Sequence, residues 1–313
     1  MRQTRRVAFV ASATALVLML SAAAAVADDS LQDFLDDAAK ASYAGQQATW
    51  CSFGGKTKFS VVSVEYAGSM VMLESEGSAQ VLGGGTASTH GTGIGVALAD
   101  WSPVDLASRY KAAEVESAYR LGRDVLVVTV DESGQMRARI WFDRDTHAAL
   151  GSEVYDGNED LFRLSWMLDF DPNPRRIYSV LRDNEPVYDL VVVSDADALP
   201  QTVGGYAKVD TYAGPDDSTH AYYSDGLFSF SIFVIAGEGA TGPFVDAETI
   251  ELDSGSYRWI LTPADLWVQW SGGGRTYVLV GDLPPDHLEA VLGELPLPSR
   301  GNIFSRLWNG IFG

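Results

Sequence analysis

The chain has 313 residues, 46% of them hydrophobic, with 42 acidic against 22 basic side chains and a formal net charge of -20. That field repels nucleic acid and anionic lipid headgroups, while the apolar content is ample for a packed core, so the acidity belongs to a surface and not to a disordered polyelectrolyte. A single cysteine, Cys51, excludes an internal disulfide and reads as a small buried residue, with pairing to another chain as the lesser alternative.

In chain order, Arg2, Arg5 and Arg6 precede an apolar run from Val7 to Leu20, and Ala25-Val26-Ala27 has the small-x-small form of a cleavage site. Residues 1–27 therefore read as a signal peptide cut after Ala27, which makes the protein periplasmic or otherwise extracytoplasmic. An uncleaved anchor ranks lower, because the apolar run is short and Asp28 and Asp29 follow at once. Ser30 to Ala41 reads as a helix, with Ser30 and Asp33 at capping-box spacing and Leu31, Phe34, Leu35 and Ala38 on one face; Tyr43-Ala44-Gly45 is expected to end it.

Strands follow over Thr57 to Tyr66, Ser69 to Glu74, Val125 to Val130 and Arg137 to Asp143. In the last of these, Ala138, Ile140 and Phe142 face one way and Arg137, Arg139 and Asp143 the other. Leu161 to Phe170 places Phe162, Leu164, Trp166, Leu168 and Phe170 on one long aromatic face, as in a curved antiparallel sheet over a core or a cavity. Gly83 to Gly95 is a glycine-rich loop whose Gly91, Gly93 and Gly95 lack the βαβ setting of a dinucleotide site. Asp100 to Ala113 is expected to be helical from Ser102-Pro103 onward.

Asp171-Pro172-Asn173-Pro174 breaks the chain, Asp195 to Pro200 marks a second transition, and the domain boundary falls between the two. Beyond it, Asp225-Gly226 suits a two-residue type I′ turn, with Phe228, Phe230, Ile232 and Val234 on one face of the return strand. Tyr257 to Thr262, Leu266 to Trp270 and Arg275 to Val280 are further strands. Pro284-Pro285-Asp286 opens a helix carrying Leu288, Val291, Leu292 and Leu295 on one side. In the tail, Ile303, Phe304, Leu307, Trp308, Ile311 and Phe312 recur at helical spacing, which fits either docking on the body or peripheral membrane contact.

Signals for chemistry are missing. His90, His147, His220 and His287 lie far apart with no ligand spacing, no GxSxG elbow occurs, and Asp169 and Asp171 lie just before Pro172 as turn residues do. No catalytic residue, metal or cofactor is expected. Eight Trp, thirteen Tyr and thirteen Phe are explained by core packing or by an aromatic concave face that holds an apolar guest.

Several phrases share one resemblance. Tyr223-Ser224-Asp225-Gly226-Leu227-Phe228-Ser229-Phe230-Ser231-Ile232-Phe233-Val234 resembles the C-terminal-domain hairpin of the MucB/RseB family, exported regulators of an envelope-stress sigma factor. Leu199-Pro200 with Gly204-Gly205-Tyr206 resembles that domain's entry, and Tyr277 to Pro285 its closing strand. In the large domain, Tyr43-Ala44-Gly45, Gly122-Arg123-Asp124 and Ile140-Trp141-Phe142-Asp143 resemble the family's YxG, GRD and LWLD phrases. The glycine-rich loop and the tail after Pro298 fall outside the pattern.

The resemblance implies an α+β protein. Residues 28–194 form a large curved antiparallel half-barrel with helices, similar to the lipoprotein carriers LolA and LolB. Residues 195–298 form a smaller antiparallel sheet-and-helix domain; the amphipathic tail at 299–313 is read from its helical spacing instead. It also implies a non-catalytic protein that binds the extracytoplasmic part of a membrane-bound anti-sigma factor, shields it from proteolysis, and responds to a lipid or amphiphile. The rival expectation is a LolA/LolB-like carrier of lipid or lipoprotein. For the lipid-facing surface the expected residues are Ile140, Phe162, Leu164 and Trp166, with core packing as the alternative; for the partner surface they are Asp225 and the edge formed by Tyr222 and Tyr223.

Overall fold

The computed structural model describes residues 30–67, 70–75, 78–82, 109–176, 191–192, 199–214, 218–239, 244, 247–263 and 265–299. The segment expected to be a signal peptide, the glycine-rich loop at 83–95 and the apolar tail at 302–313 lie outside them. Helix α1 (Leu31–Lys40) starts at the expected cap: Ser30 and Asp33 exchange backbone and side-chain hydrogen bonds, and Leu31, Phe34, Leu35 and Ala38 are buried.

The first sheet is antiparallel throughout, in the order β4-β3-β2-β1-β9-β8-β7-β6-β5. Its members are β1 (Ser42–Phe53), β2 (Lys56–Ala67), β3 (Met70–Ser75), β4 (Ser78–Leu82), β5 (Tyr110–Arg120), β6 (Arg123–Glu132), β7 (Gln135–Asp143), β8 (Ala149–Tyr155) and β9 (Leu161–Met167). Two meanders, β1 to β4 and β5 to β9, join where β1 pairs with β9. Two expectations need correction. Tyr43-Ala44-Gly45 does not end α1 but lies inside β1, since Ala41 already caps the helix. Residues 110–113, read as helix, are strand; β5 pairs with β6 from Tyr110 to Arg120, and that ladder overrides the local helix signal.

Directly opposed residues share a face of a sheet. Val128, Ile140, Ser152, Ser165 and Thr49 form one such row, and Val127, Trp141, Gly151, Trp166, Ala48 and Val61 a neighbouring row on the opposite face. The face of Ile140 is the packed one. Phe142, two residues on, stacks on Phe34 of α1 at 5.5 Å, and Tyr43, Cys51, Val128, Ala138 and Ile140 are each fully buried. Cys51 is free, and burial pushes its thiol pKa up.

The second sheet runs β10-β12-β13-β14-β18-β17-β16-β15, with β11 also on β12. Its strands are β10 (Val191–Val192), β11 (Thr202–Val203), β12 (Tyr206–Ala213), β13 (Thr219–Ser224), β14 (Ser229–Ala236), β15 (Glu248–Leu252), β16 (Gly255–Leu261), β17 (Leu266–Gly272) and β18 (Arg275–Gly281). Because β10 pairs with β12, this sheet begins before residue 195, and the expected boundary moves to the N-terminal side of Val191. The second unit is smaller in strand length, not in strand number: its longest strands have 8 residues against 12 in β1 and β2. Helix α2 (Pro285–Glu294) covers one face, burying Leu288, Val291 and Leu292. Among the described residues, the α+β architecture is therefore two antiparallel sheets with one helix on each. Among the described residues no helix is long and apolar enough to cross a membrane.

Candidate functional site

The second unit seats on one end of the first sheet, the end where β5, β7 and β9 begin and β6, β8 and β1 finish. The contact is a network of charges and rings. The tip of the β13–β14 hairpin enters it. Ser224 pairs with Ser229, so four residues form the loop, not the expected two-residue turn. Only Gly226 of these takes a positive φ, 93°. Asp225 turns its side chain back on the loop: Oδ1 accepts the backbone N–H of Leu227 at 3.0 Å and of Phe228 at 2.8 Å. Oδ2 accepts the Tyr110 hydroxyl at 2.6 Å and lies 3.1 Å from Nη1 of Arg109. With its carboxylate fully buried, Asp225 has both oxygens engaged.

From Arg109 the network spreads. Its Nε donates to Glu132 at 2.7 Å, and its Nη2 lies 2.8 Å from Nε2 of His287. Glu132 also accepts from Nε of Arg137 at 2.7 Å and lies 3.0 Å from His287. Arg137 then forks onto Asp286 at 3.0 and 2.9 Å, and Asp286 receives the N–H of Gly157 as well. The Tyr206 hydroxyl is 2.7 Å from Nδ1 of His287. Arg163, 1% exposed, reaches Asp282 at 3.7 Å. At the far end Phe53 meets Trp259 edge-on at 5.0 Å, and Lys56 pairs with Glu248.

These contacts set the titration of the seam. Burial alone would raise Glu132, but the hydrogen bonds and charges of His287 and Arg109 outweigh it and hold the carboxyl down to about 2. Asp286 is lowered in the same way, burial being outweighed by Arg137. Asp282 is raised by burial, which exceeds the pull of Arg163. Tyr110 and Tyr206 are both raised, first by burial and then by the charge of Asp225.

The seven residues singled out in the sequence fall in three places. Ile140 and Phe162 are core, 0% and 2% exposed. Leu164 and Trp166 are half-buried on the opposite face from Ile140, as the register requires, so the four do not share one surface. Trp166 meets Trp141 at 4.6 Å across Gly151, where a Cβ would lie 2.7 Å from the Trp166 ring. The guanidinium of Arg120 covers the same ring at 3.7 Å. Beside them, Phe59 and Val61 are 64% and 43% exposed. Tyr222 and Tyr223 are not on an edge: β13 lies between β12 and β14, and both side chains are buried, as is Asp225.

Sequence reasoning missed Arg109, Glu132, Arg137 and Asp286 as partners. Alternation places Arg137 and Asp143 on the face of β7 away from Ala138, Ile140 and Phe142, and both are buried. Arg137 is covered by the second unit, and Asp143 is held by Arg123 at 2.6 and 2.9 Å. Among the described residues no cluster of His, Cys, Asp and Glu is arranged to hold a metal ion.

No protein-family model matches the chain, and no curated protein matches it. Solved structures do. The crystal structure of MucB is 19% identical, covering 85% of this chain and 96% of that one, with a TM-score of 0.48. The chain is similar to MucB along most of both lengths. The MucA/MucB complex of Pseudomonas aeruginosa gives 19% identity, 85% and 98% coverage and a TM-score of 0.46. A LolA superfamily protein from Nitrosomonas europaea is more distant, at 8% identity, 81% and 91% coverage and a TM-score of 0.20.

Proposed function

We propose that this protein is an extracytoplasmic, non-catalytic binding regulator of the MucB/RseB type, whose partner is the outer segment of a membrane-bound anti-sigma factor. The observation that carries the reading is where the family-like phrases lie. Arg123 of the GRD-like phrase forks onto Asp143 of the LWLD-like phrase. Asp225 of the hairpin phrase anchors the seam, and Asp282 of the closing phrase accepts the N–H of Ser229 at 2.9 Å. Phrases far apart in sequence thus tie together the large domain, the small domain and the joint between them, which supports a shared design and not scattered likeness.

In this reading Leu164 and Trp166, beside exposed Phe59 and Val61, meet apolar parts of a guest such as a lipid or amphiphile. Asp225, Tyr222 and Tyr223 act through the joint. A seam of ion pairs and hydrogen bonds can exchange its partners for water more readily than a broad apolar one, so the two units can turn when a ligand favours another arrangement.

The test is direct binding of the chain lacking residues 1–27 to the outer segment of a single-span anti-sigma factor from the same organism, followed by calorimetry. Saturable one-to-one binding, weakened by added lipid, is expected. Failure of that segment to bind, with stoichiometric uptake of acyl chains by the large domain instead, would replace this reading with that of a carrier.

A further inference from the structure

The face of the second sheet that turns away from α2 carries a cavity of about 610 Å³. Its floor is a row of opposed residues, Tyr212, His220, Phe233, Val278 and Gln269, running across five strands. Tyr212 stacks on His220 at 5.4 Å, and His220 on Phe233 at 4.4 Å. Trp267 and buried Phe244 close another side, with their rings 6.4 Å apart. The volume is that of a small-molecule site, and the lining is mainly apolar.

Two polar atoms break that lining. Nε1 of Trp267 and Oε1 of Gln269 are buried and have no hydrogen-bond partner. Gln269 is only 4% exposed. The two residues stand two apart on β17, so their side chains leave the same face of the sheet. Burying a donor and an acceptor unpaired is unfavourable, and five such side-chain atoms occur among the described residues; two of the five line this one cavity.

We infer that this cavity binds an uncharged ligand with an apolar body and a carboxamide group, whose carbonyl accepts from Trp267 and whose N–H donates to Gln269. The polarity of the wall selects this class. A carboxylate offers no donor to Gln269, and among the described residues the lining contains no Lys or Arg to offset its charge, while Glu238 would repel it. Burial pushes His220 down to about 4, so it brings no positive charge at neutral pH. An alkylammonium offers donors but no acceptor to Trp267. The inference is independent of the anti-sigma reading, since it rests on the other face of the small domain.

The probes are octanamide, octanoate and octylamine, matched in chain length, titrated into the full chain at pH 7.5 by calorimetry and tryptophan fluorescence. Octanamide is expected to bind one-to-one and about tenfold tighter than either charged analogue, and Gln269→Leu and Trp267→Phe should each weaken it by about tenfold. The indole N–H resonance of Trp267, assigned by its loss in Trp267→Phe, should move downfield only with octanamide, which gives a readout in the unmutated protein. Equal affinity for all three probes, no binding of octanamide, or an unmoved indole resonance would overturn the proposal.

Discussion

Asp225 shows how one side chain can serve two scales at once. Its Oδ1 closes the hairpin loop through two backbone N–H groups, and its Oδ2 takes the Tyr110 hydroxyl and the Arg109 guanidinium from the other domain. Asp225→Asn keeps the size but removes the charge and puts an amide where two donors already point. Leaving buried donors unmatched costs about 3 kcal/mol when a charge is involved. The expected outcome is an unfolding free energy, read from urea titration, that is lower by that amount, with Tyr110→Phe costing about 1 kcal/mol because it removes a single hydrogen bond. An unchanged midpoint in Asp225→Asn would mean that the hairpin tip is not held by this carboxylate. The residue stood out in the sequence, but as a turn former with a guessed outward role. Its real partners, Arg109 and Tyr110, come from a segment read as helix, so no local pattern joined them.

At the scale of elements, hydrophobic periodicity placed α1, α2, β2, β7, β17 and β18 close to their observed positions, because in each the apolar repeat matches one packed face. It failed where both faces of a strand are covered. The buried Arg163 and Ser165 lie on the packed face of β9, whereas Leu164 and Trp166, more apolar, are only half-buried on the other. Hydrophobicity alone could not say which face the helix and the second domain would cover. The YxG-like phrase illustrates the converse, a sequence signal whose cause becomes visible in the fold. A Cβ on Gly45 would lie 2.5 Å from the backbone oxygen of Asp169 and 2.7 Å from the Met167 side chain. That closeness lets Asp169 accept the N–H of Gln46 at 2.6 Å, and Leu168 donate to the Gln46 carbonyl at 2.7 Å, extending the contact of β1 with the chain leaving β9. Gly45→Ala should therefore destabilise the chain by about 1–3 kcal/mol, the usual range for overpacking. In hydrogen exchange, the Gln46 and Leu168 amides should lose protection first; retained protection at both would show that the two segments can part without cost.

For the whole molecule, the joint between the two sheets governs how stability responds to acid. Glu132 has its carboxyl held down to about 2 against an ordinary 4.5, so its contribution is complete above pH 4.5 and is lost as pH falls through 2. The shift corresponds to about 3 kcal/mol. Asp286, also lowered, acts in the same direction. Three other groups act at milder acidity: Asp265 and Asp282, both raised by burial, oppose His220. Asp265, raised to about 6 by burial, is disfavoured when ionised, so the fold gains as pH falls from 6 toward 3.8. His220, pushed down to about 4 by burial, must stay neutral in the fold, so stability is lost as pH falls from 6.5 toward 4. Because these groups pull in opposite directions, stability should change less between pH 6.5 and 4.5 than below it, where Glu132 and Asp286 both lose their charge. Urea midpoints at pH 7, 5 and 3 test the curve: little change over the first interval, a large drop over the second. In Glu132→Gln the whole curve should sit lower, because Arg109 and Arg137 lose their shared anion, but the drop between pH 5 and 3 should shrink. An identical drop in the variant would place the acid-sensitive element elsewhere and leave the joint insensitive to protons.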